Sequence, residues 1–315
     1  MPGYVSSNSS TSSGLDLAAL QALLQRPLLP HSGLNAPFQL EVHSFDRLAS
    51  TNQTLWELLR QTGKEGTVAI ARQQTAGKGQ RGRRWQSPPG GLYLSIALCP
   101  DLAARRAGEL MVCSAWGIAI ALRHYQIPVL LKWPNDLVIN ARKLGGILLE
   151  TRSRGDRVQQ AVVGVGINWA NPVPPMGINL QHPAIHSSSL APLGQPPPPI
   201  ASIEMLAAVT LHGLMTGYQF WQHYGIDRIR PAYEALLSGL GRVIPLPARL
   251  HQADGPSHGQ IAGITPLGQL RVRPLHLQET LGREQPELVL DPGDVRLGYG
   301  AECPKESQPT HPEIF

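Results

Sequence analysis

Residues 110–122 read LMVCSAWGIAIAL, a stretch without a single charged side chain. Its length suits one helix, running on to Tyr125. It is too short to span a bilayer, which takes about 20 apolar residues. A helix that is apolar all round has to be covered all round by the rest of the chain. The segments beside it have strand character. Thr67–Ala71, Leu92–Leu98, Ile127–Trp133, Asp136–Asn140, Gly145–Thr151 and Gln160–Trp169 are short and rich in aliphatic residues, and Leu92, Leu94, Ile96 and Leu98 share one face. A buried helix among such strands predicts a layered α/β (α+β) domain.

Other elements extend this reading. Leu15–Leu29 and Ser202–Tyr224 have helical spacing, and Leu40–Phe45 alternates as a strand. Ser50–Arg60 is a predicted helix in which Ser50 and Gln53 form a capping box. Pro231–Leu240 is a predicted helix ended by Gly239 and Gly241. Asn171–Ile200 carries nine prolines, including Pro196–Pro199, and reads as an exposed irregular connection. After Arg242, the short runs Val243–Leu246, Gly259–Ile264, Leu270–Val272, Glu287–Leu290 and Asp294–Gly298 alternate with Gly/Pro turns, which predicts a small all-β module, a barrel. A length of 315 residues suits about two domains.

Composition narrows the function. A formal net charge of +5 suits a protein that handles anions and is too weak to mark a nucleic-acid binder. Cys99, Cys113 and Cys303 have no metal spacing and no pairing pattern, which argues against a disulfide scaffold or zinc site and fits a reducing compartment. The first 14 residues lack the basic and apolar regions of a secretory signal, so the expectation is a cytoplasmic protein with no membrane association.

Four segments carry chemistry. Gly77–Trp85, GKGQRGRRW, combines Lys78, Arg81, Arg83 and Arg84 with glycines that would free backbone N–H groups for an anion. It lacks the spacing of a Walker A loop, and a strand rather than a helix follows it. Lys132 sits at a strand end beside the rigid Trp133-Pro134 turn. Gly145-Gly146 and Gly164-Val165-Gly166 place glycines inside apolar strands, where something packs flat against the sheet. Each segment also has a plain reading: a solvated basic loop, a surface lysine, tight sheet packing. Taken together, Lys78, Arg81, Arg83 and Lys132 suit a site that brings two anions together by neutralising their repulsion. No Ser-His-Asp, Cys-His or paired-carboxylate arrangement is visible, so catalysis by positioning and electrostatics is expected.

In order along the chain stand Ser50-Thr51-Asn52, Gly77–Trp85, Lys132-Trp133-Pro134-Asn135-Asp136, Lys143-Leu144-Gly145-Gly146-Ile147-Leu148 and Gly164-Val165-Gly166-Ile167-Asn168. With these five motifs the sequence resembles biotin–protein ligase over about residues 40–300. The resemblance implies a mixed-sheet catalytic domain related to class II aminoacyl-tRNA synthetases, followed by an SH3-like barrel. The domains would be 1–38 (tail and short helix), 39–240 (catalytic), 241–300 (barrel) and 301–315 (tail). It also implies the reaction. Biotin and Mg2+-ATP give biotinyl-5′-AMP, and the biotinyl group passes to a lysine of the biotin carboxyl carrier protein of acetyl-CoA carboxylase.

Residue by residue, the resemblance gives Ser50, Thr51, Asn52, Gln74, Lys78, Gly79, Gln80 and Lys132 to biotin. It gives Arg83, Trp85, Asn135, Lys143 and Asn168 to the nucleotide, with Asp136 in the nucleotide and metal region. Lys132 and Arg83 would stabilise the developing charge. Lys78 and Gln80 stand where the common pattern has Arg, which implies weaker retention of the adenylate. Some relatives carry an N-terminal winged helix of about 60 residues; about 40 residues precede the catalytic part here, so no DNA binding is expected. A homodimer is compatible with the resemblance. A lipoate or octanoate ligase or transferase, which shares the fold, is the alternative, and a nucleic-acid-binding protein is a more distant one.

Overall fold

The computed structural model describes residues 15–29, 39–186, 200–247, 256–275 and 286–299. The Ser-rich residues 1–14, Pro196–Pro199, Cys303 and the 301–315 tail lie outside these. No helix among the described residues is long and apolar enough to cross a membrane.

The larger sheet is mixed. Strands β1 (Glu41–Leu48), β2 (Thr67–Gln74), β3 (Leu92–Leu98), β5 (Leu130–Lys132), β6 (Asp136–Ile139), β7 (Arg142–Arg154) and β8 (Arg157–Ile167) lie in the order β1-β2-β3-β8-β7-β6-β5, and the two-residue β4 (Leu102–Ala103) pairs with β8. The β1–β2 pair is parallel and the other pairs are antiparallel. The alternation of β3 decides its two faces. Leu92, Leu94, Ile96 and Leu98 enter the main core, while Ala97 packs with Val162 and Ala69 under α2 (Thr51–Thr62). All seven β3 residues are buried because both faces are covered.

The main core is roofed by α3 (Gly108–His124) and α5 (Ile203–Tyr224), with α1 (Leu17–Leu24) and α6 (Ile226–Ala235) beside them. Each Leu sealed there contributes about 1.5–3 kcal/mol. The glycine in the apolar stretch has a steric role: a Cβ on Gly117 would collide with the Gly213 carbonyl, so the α3 and α5 backbones touch.

Three expectations are corrected here. Residues 171–186 are an irregular connection only partly exposed: Pro172 and Pro174–Met176 face solvent, whereas Ile178, Leu180 and Ile185 are buried in the main core, and α4 (Pro183–His186) is a short turn of helix. The last predicted helix starts at Ile226, not Pro231, because Ile226, Ile229 and Tyr233 supply its buried face and Pro231 sits inside it. The Ser50 side chain makes no capping bond: the Thr51 N–H is held at 2.8 Å by Gln74 Oε1 from the end of β2.

A second sheet, order β12-β11-β10-β9, is antiparallel: β9 (Val243–Pro245), β10 (His258–Ile264), β11 (Leu270–Leu275) and β12 (Leu288–Leu290). It meets the edge of the first sheet and α6 through side chains. Trp133 Nε1 donates to the Gly268 carbonyl at 2.8 Å, and Glu234 accepts from the Ile264 N–H at 2.8 Å. The expected strand at Asp294–Gly298 is absent; that segment runs instead to the mouth of a pocket in the first sheet.

Candidate active site

Strand register builds the floor of this pocket. Tyr93 pairs with Gly166, Gly166 with Gly146, and Gly146 with Asp136, so one row crosses four strands with glycines at its centre. The next row places Ser95 opposite Gly164 and Gly164 opposite Leu148. Because side chains alternate along a strand, Gly164 and Gly166 share the face toward α2. A Cβ on Gly164 would strike the Asn52 amide, and one on Gly166 would lie 2.6 Å from Trp85 Nε1. The glycines therefore let a helix start and an indole lie flat on the sheet.

The resulting pocket has a volume of about 320 Å3. Of the residues expected from sequence, Ser50, Thr51, Asn52, Gln74, Lys78, Gly79, Gln80, Arg83, Trp85, Lys132, Asn135, Asp136 and Lys143 all line it. Asn168 does not. It is buried, with Nδ2 donating to the Lys143 and Ile178 carbonyls and Oδ1 accepting from Asn171, so it braces the sheet end rather than facing a ligand.

One end is lined by neutral side chains that are internally bonded, with the Glu150 carboxylate behind them. Ser95 Oγ lies 2.7 Å from Thr51 Oγ1 and 2.6 Å from Asn52 Oδ1. Gln74 Oε1 accepts from the Thr51 backbone and hydroxyl, and Gln74 Nε2 donates to Ser87 Oγ at 2.8 Å. Asn52 Nδ2 donates to Glu150 Oε2 at 2.9 Å, and Trp56 Nε1 donates to the same oxygen at 3.2 Å. Ser50, Thr51 and Asn52 are each almost fully buried. Each buried bond here stabilises only modestly, but a stranded partner costs about 1–3 kcal/mol, so the set holds one arrangement.

The other end is charged. Lys143 Nζ lies 2.6 Å from Asp136 Oδ1, Lys132 Nζ lies 3.8 Å from Asp136 Oδ2, and Lys132 and Asp136 are each 13% exposed. Burial lowers the Lys132 pKa below an ordinary lysine's; Asp136 opposes that shift, and Lys143, Arg242 and Arg83 add to it. Asn135 ties the turn to β7, donating to the Ile147 carbonyl at 2.7 Å.

The basic loop is folded on itself. Gly79 N–H donates to the Arg83 carbonyl at 2.7 Å and Trp85 N–H to the Gly77 carbonyl at 2.9 Å, while Arg81 is left-handed (φ 59°). The glycines thus shape the turn, and of the expected anion cradle the Gly79 N–H is already taken, as is that of Trp85. The positive charge comes from side chains.

Sequence reasoning missed Ser95, Glu150 and Tyr299. The first two carried a signal, as polar residues on the α2-facing side of apolar strands. Tyr299 carried none, since it arrives from the far end of the described chain.

The fold and sequence both have known counterparts. Residues 44–168 match the model of the Biotin/lipoate A/B protein ligase family. The chain is 38% identical over 125 residues to the Bifunctional ligase/repressor BirA of Bacillus subtilis, spanning 39% of this chain and 38% of that protein. It is 34% identical over 239 residues to the Biotin--[acetyl-CoA-carboxylase] ligase of Paracoccus denitrificans, covering 72% of this chain and 92% of that protein. The biotin protein ligase of Aquifex aeolicus, solved in complex with biotin and ATP, superposes with a TM-score of 0.59 at 22% identity, over 81% of this chain and 97% of that one. The fold is shared with that structure, and nearly the whole of the Paracoccus ligase is matched in sequence: the chain belongs to the biotin–protein ligase family.

Proposed function

We propose that this chain activates biotin with ATP to biotinyl-5′-AMP, then transfers biotin to a specific lysine of a biotin carboxyl carrier protein, that of acetyl-CoA carboxylase. The observation that carries this reading is the polarity of one pocket: a neutral, hydrogen-bonded end beside a cluster of cations. The neutral end suits the ureido ring. The cationic end suits the biotin carboxylate and the ATP phosphates.

In the first step the carboxylate oxygen attacks the α-phosphorus and pyrophosphate leaves. Lys132, with Arg83, neutralises the two approaching anions and the charge that develops between them. Trp85 offers a flat face to the nucleotide on the Gly166 row, and Lys143 lies 5.1 Å from its ring centroid. In the second step the carrier lysine's amine attacks the acyl carbon and AMP leaves. No cluster of His, Cys, Asp or Glu suited to a resident metal occurs among the described residues. Both Asp136 oxygens have partners, Lys143 and Tyr299. In this reading Mg2+ is carried with the nucleotide. The four-stranded sheet belongs, in this reading, to an SH3-like barrel spanning 241–300 behind a catalytic domain of 39–240.

A lipoate or octanoate substrate is the second reading, since the matching family model covers both biotin and lipoate enzymes. A transferase using a cysteine nucleophile fits poorly. Cys113 is buried in α3, its thiol pushed up to about 12 by burial, and neither Cys113 nor Cys99 lines the pocket.

The test is ATP-dependent transfer of labelled biotin onto a purified carrier domain, beside Lys132→Ala. Transfer by the native chain and a loss of about 100-fold or more in the variant is expected. Transfer that survives in the variant moves the decisive charge to the Gly77–Trp85 loop. Transfer of lipoate or octanoate but not biotin overturns the substrate.

A further inference from the structure

Asp136 and Lys132 are close enough to form a tight ion pair, yet they do not. Tyr299 competes with Lys132 for that carboxylate. Its hydroxyl donates to Asp136 Oδ2 at 2.5 Å, and Lys143 holds Asp136 Oδ1 at 2.6 Å, so both carboxylate oxygens are engaged. Lys132 Nζ is left 3.8 Å from Oδ2, beyond hydrogen-bond reach. The ammonium lies instead over the Tyr299 ring, 3.9 Å from its centroid, a cation–π position. An ammonium has three N–H donors, and a ring face holds it in place without consuming them as a carboxylate would.

Tyr299 reaches this position because the segment 293–299 crosses from the second sheet to the pocket. Val295, Arg296, Leu297, Gly298 and Tyr299 all line it. Gly293 makes the crossing possible: its φ is 114°, and the Arg81 guanidinium of the basic loop occupies the space a side chain there would need. The pocket is thus closed from one side by the C-terminal segment and from another by the basic loop, in contact with each other.

We propose that Tyr299 is a positioning residue for adenylation: by engaging Asp136 Oδ2 and offering its ring to Lys132, it keeps the Lys132 ammonium out of a close, hydrogen-bonded ion pair and turned to the reacting carboxylate and phosphate. This rests on the ligase reading above. Without the hydroxyl, Asp136 Oδ2 is free to capture Lys132, and the cation is drawn away from the reaction. Without the ring, the ammonium also loses the surface that holds it.

The experiment compares the full-length native chain with Tyr299→Phe and Tyr299→Ala. Two quantities are read: the Kd for biotin alone, and the rate of biotin-dependent pyrophosphate exchange into ATP. In Tyr299→Phe, exchange should fall about tenfold, the worth of a hydrogen bond to a charged group, and by several-fold more than the affinity for biotin, whose carboxylate also faces Lys132. Tyr299→Ala should fall further, so that Phe rescues part of the loss relative to Ala. Exchange equal to the native rate in Tyr299→Phe overturns the proposal. So does a parallel loss of biotin binding and exchange, or a failure of Tyr299→Phe to fold, since the hydroxyl would then support the fold rather than Lys132. Absence of biotin-dependent exchange in the native chain would instead refute the ligase reading itself.

Discussion

The two ends of the pocket share one sheet face and are built by opposite rules. At the neutral end every polar group named above, apart from the Ser50 hydroxyl, is tied to a neighbour, and the set Glu150–Asn52–Ser95–Thr51–Gln74–Ser87 runs as a chain of hydrogen bonds. At the charged end, cations outnumber their partner: Lys132 and Lys143 share the single carboxylate of Asp136, with Arg83 and Arg242 near enough to disfavour the Lys132 charge. Satisfied groups give shape and hold a ligand in one pose. Unbalanced charge in a part-buried site acts strongly on an anion that arrives. The neutral end is therefore built to recognise and the charged end to react.

Breaking the neutral end should impair binding more than chemistry. The largest effect is expected from Gly164→Ala, whose methyl group displaces the Asn52 amide; a displacement near 1 Å should raise the KM for biotin about 100-fold, read in steady-state transfer. Glu150→Ala strands the Asn52 and Trp56 donors and should raise that KM about tenfold, with kcat changed much less. A fall in kcat alone, in either variant, would show that the two ends are not separable.

The charged end is sharpened by pH. Burial disfavours the Lys132 ammonium, so its proton leaves below the ordinary lysine value of 10.5. As pH rises the charge is lost, and kcat/KM for ATP, which reports the free enzyme, should fall on the alkaline side before pH 10.5. Lys132→Arg keeps its charge to a higher pH and should lose that limb, whatever its absolute rate. An unchanged alkaline limb in Lys132→Arg would assign it to another group.

Much of this was legible in residue order. β3 was bounded at Leu92–Leu98 by its alternation, and the helices at 110–125 and 202–224 were found within a few residues of their observed ends, because their apolar patterns are long. The glycines of β8 signalled a flat contact, and Trp85 and Asn52 provide it. Errors gathered where sequence distance is large. Ser50 does stand at the N-cap position, but its side chain makes no cap bond; Gln74, 23 positions on from Thr51, bonds the first amide of α2. The loop glycines looked like an anion cradle, but the Gly79 N–H is bonded across the turn to the Arg83 carbonyl.

By itself, the sequence determined the layers and most of the strands, because periodicity and local steric demand are written in neighbouring residues, and its five motifs, through their resemblance, named many of the residues that line the pocket. Only the tertiary structure decided which of these residues are already bonded and which are left with charge to offer. It removed Asn168 from the pocket, set Glu150 behind Asn52, and brought in Tyr299, which joins Asp136 across 163 positions of chain. Hydrogen bonds and ion pairs depend on ångström-scale distances between residues remote in sequence, and those distances exist only once the chain has packed.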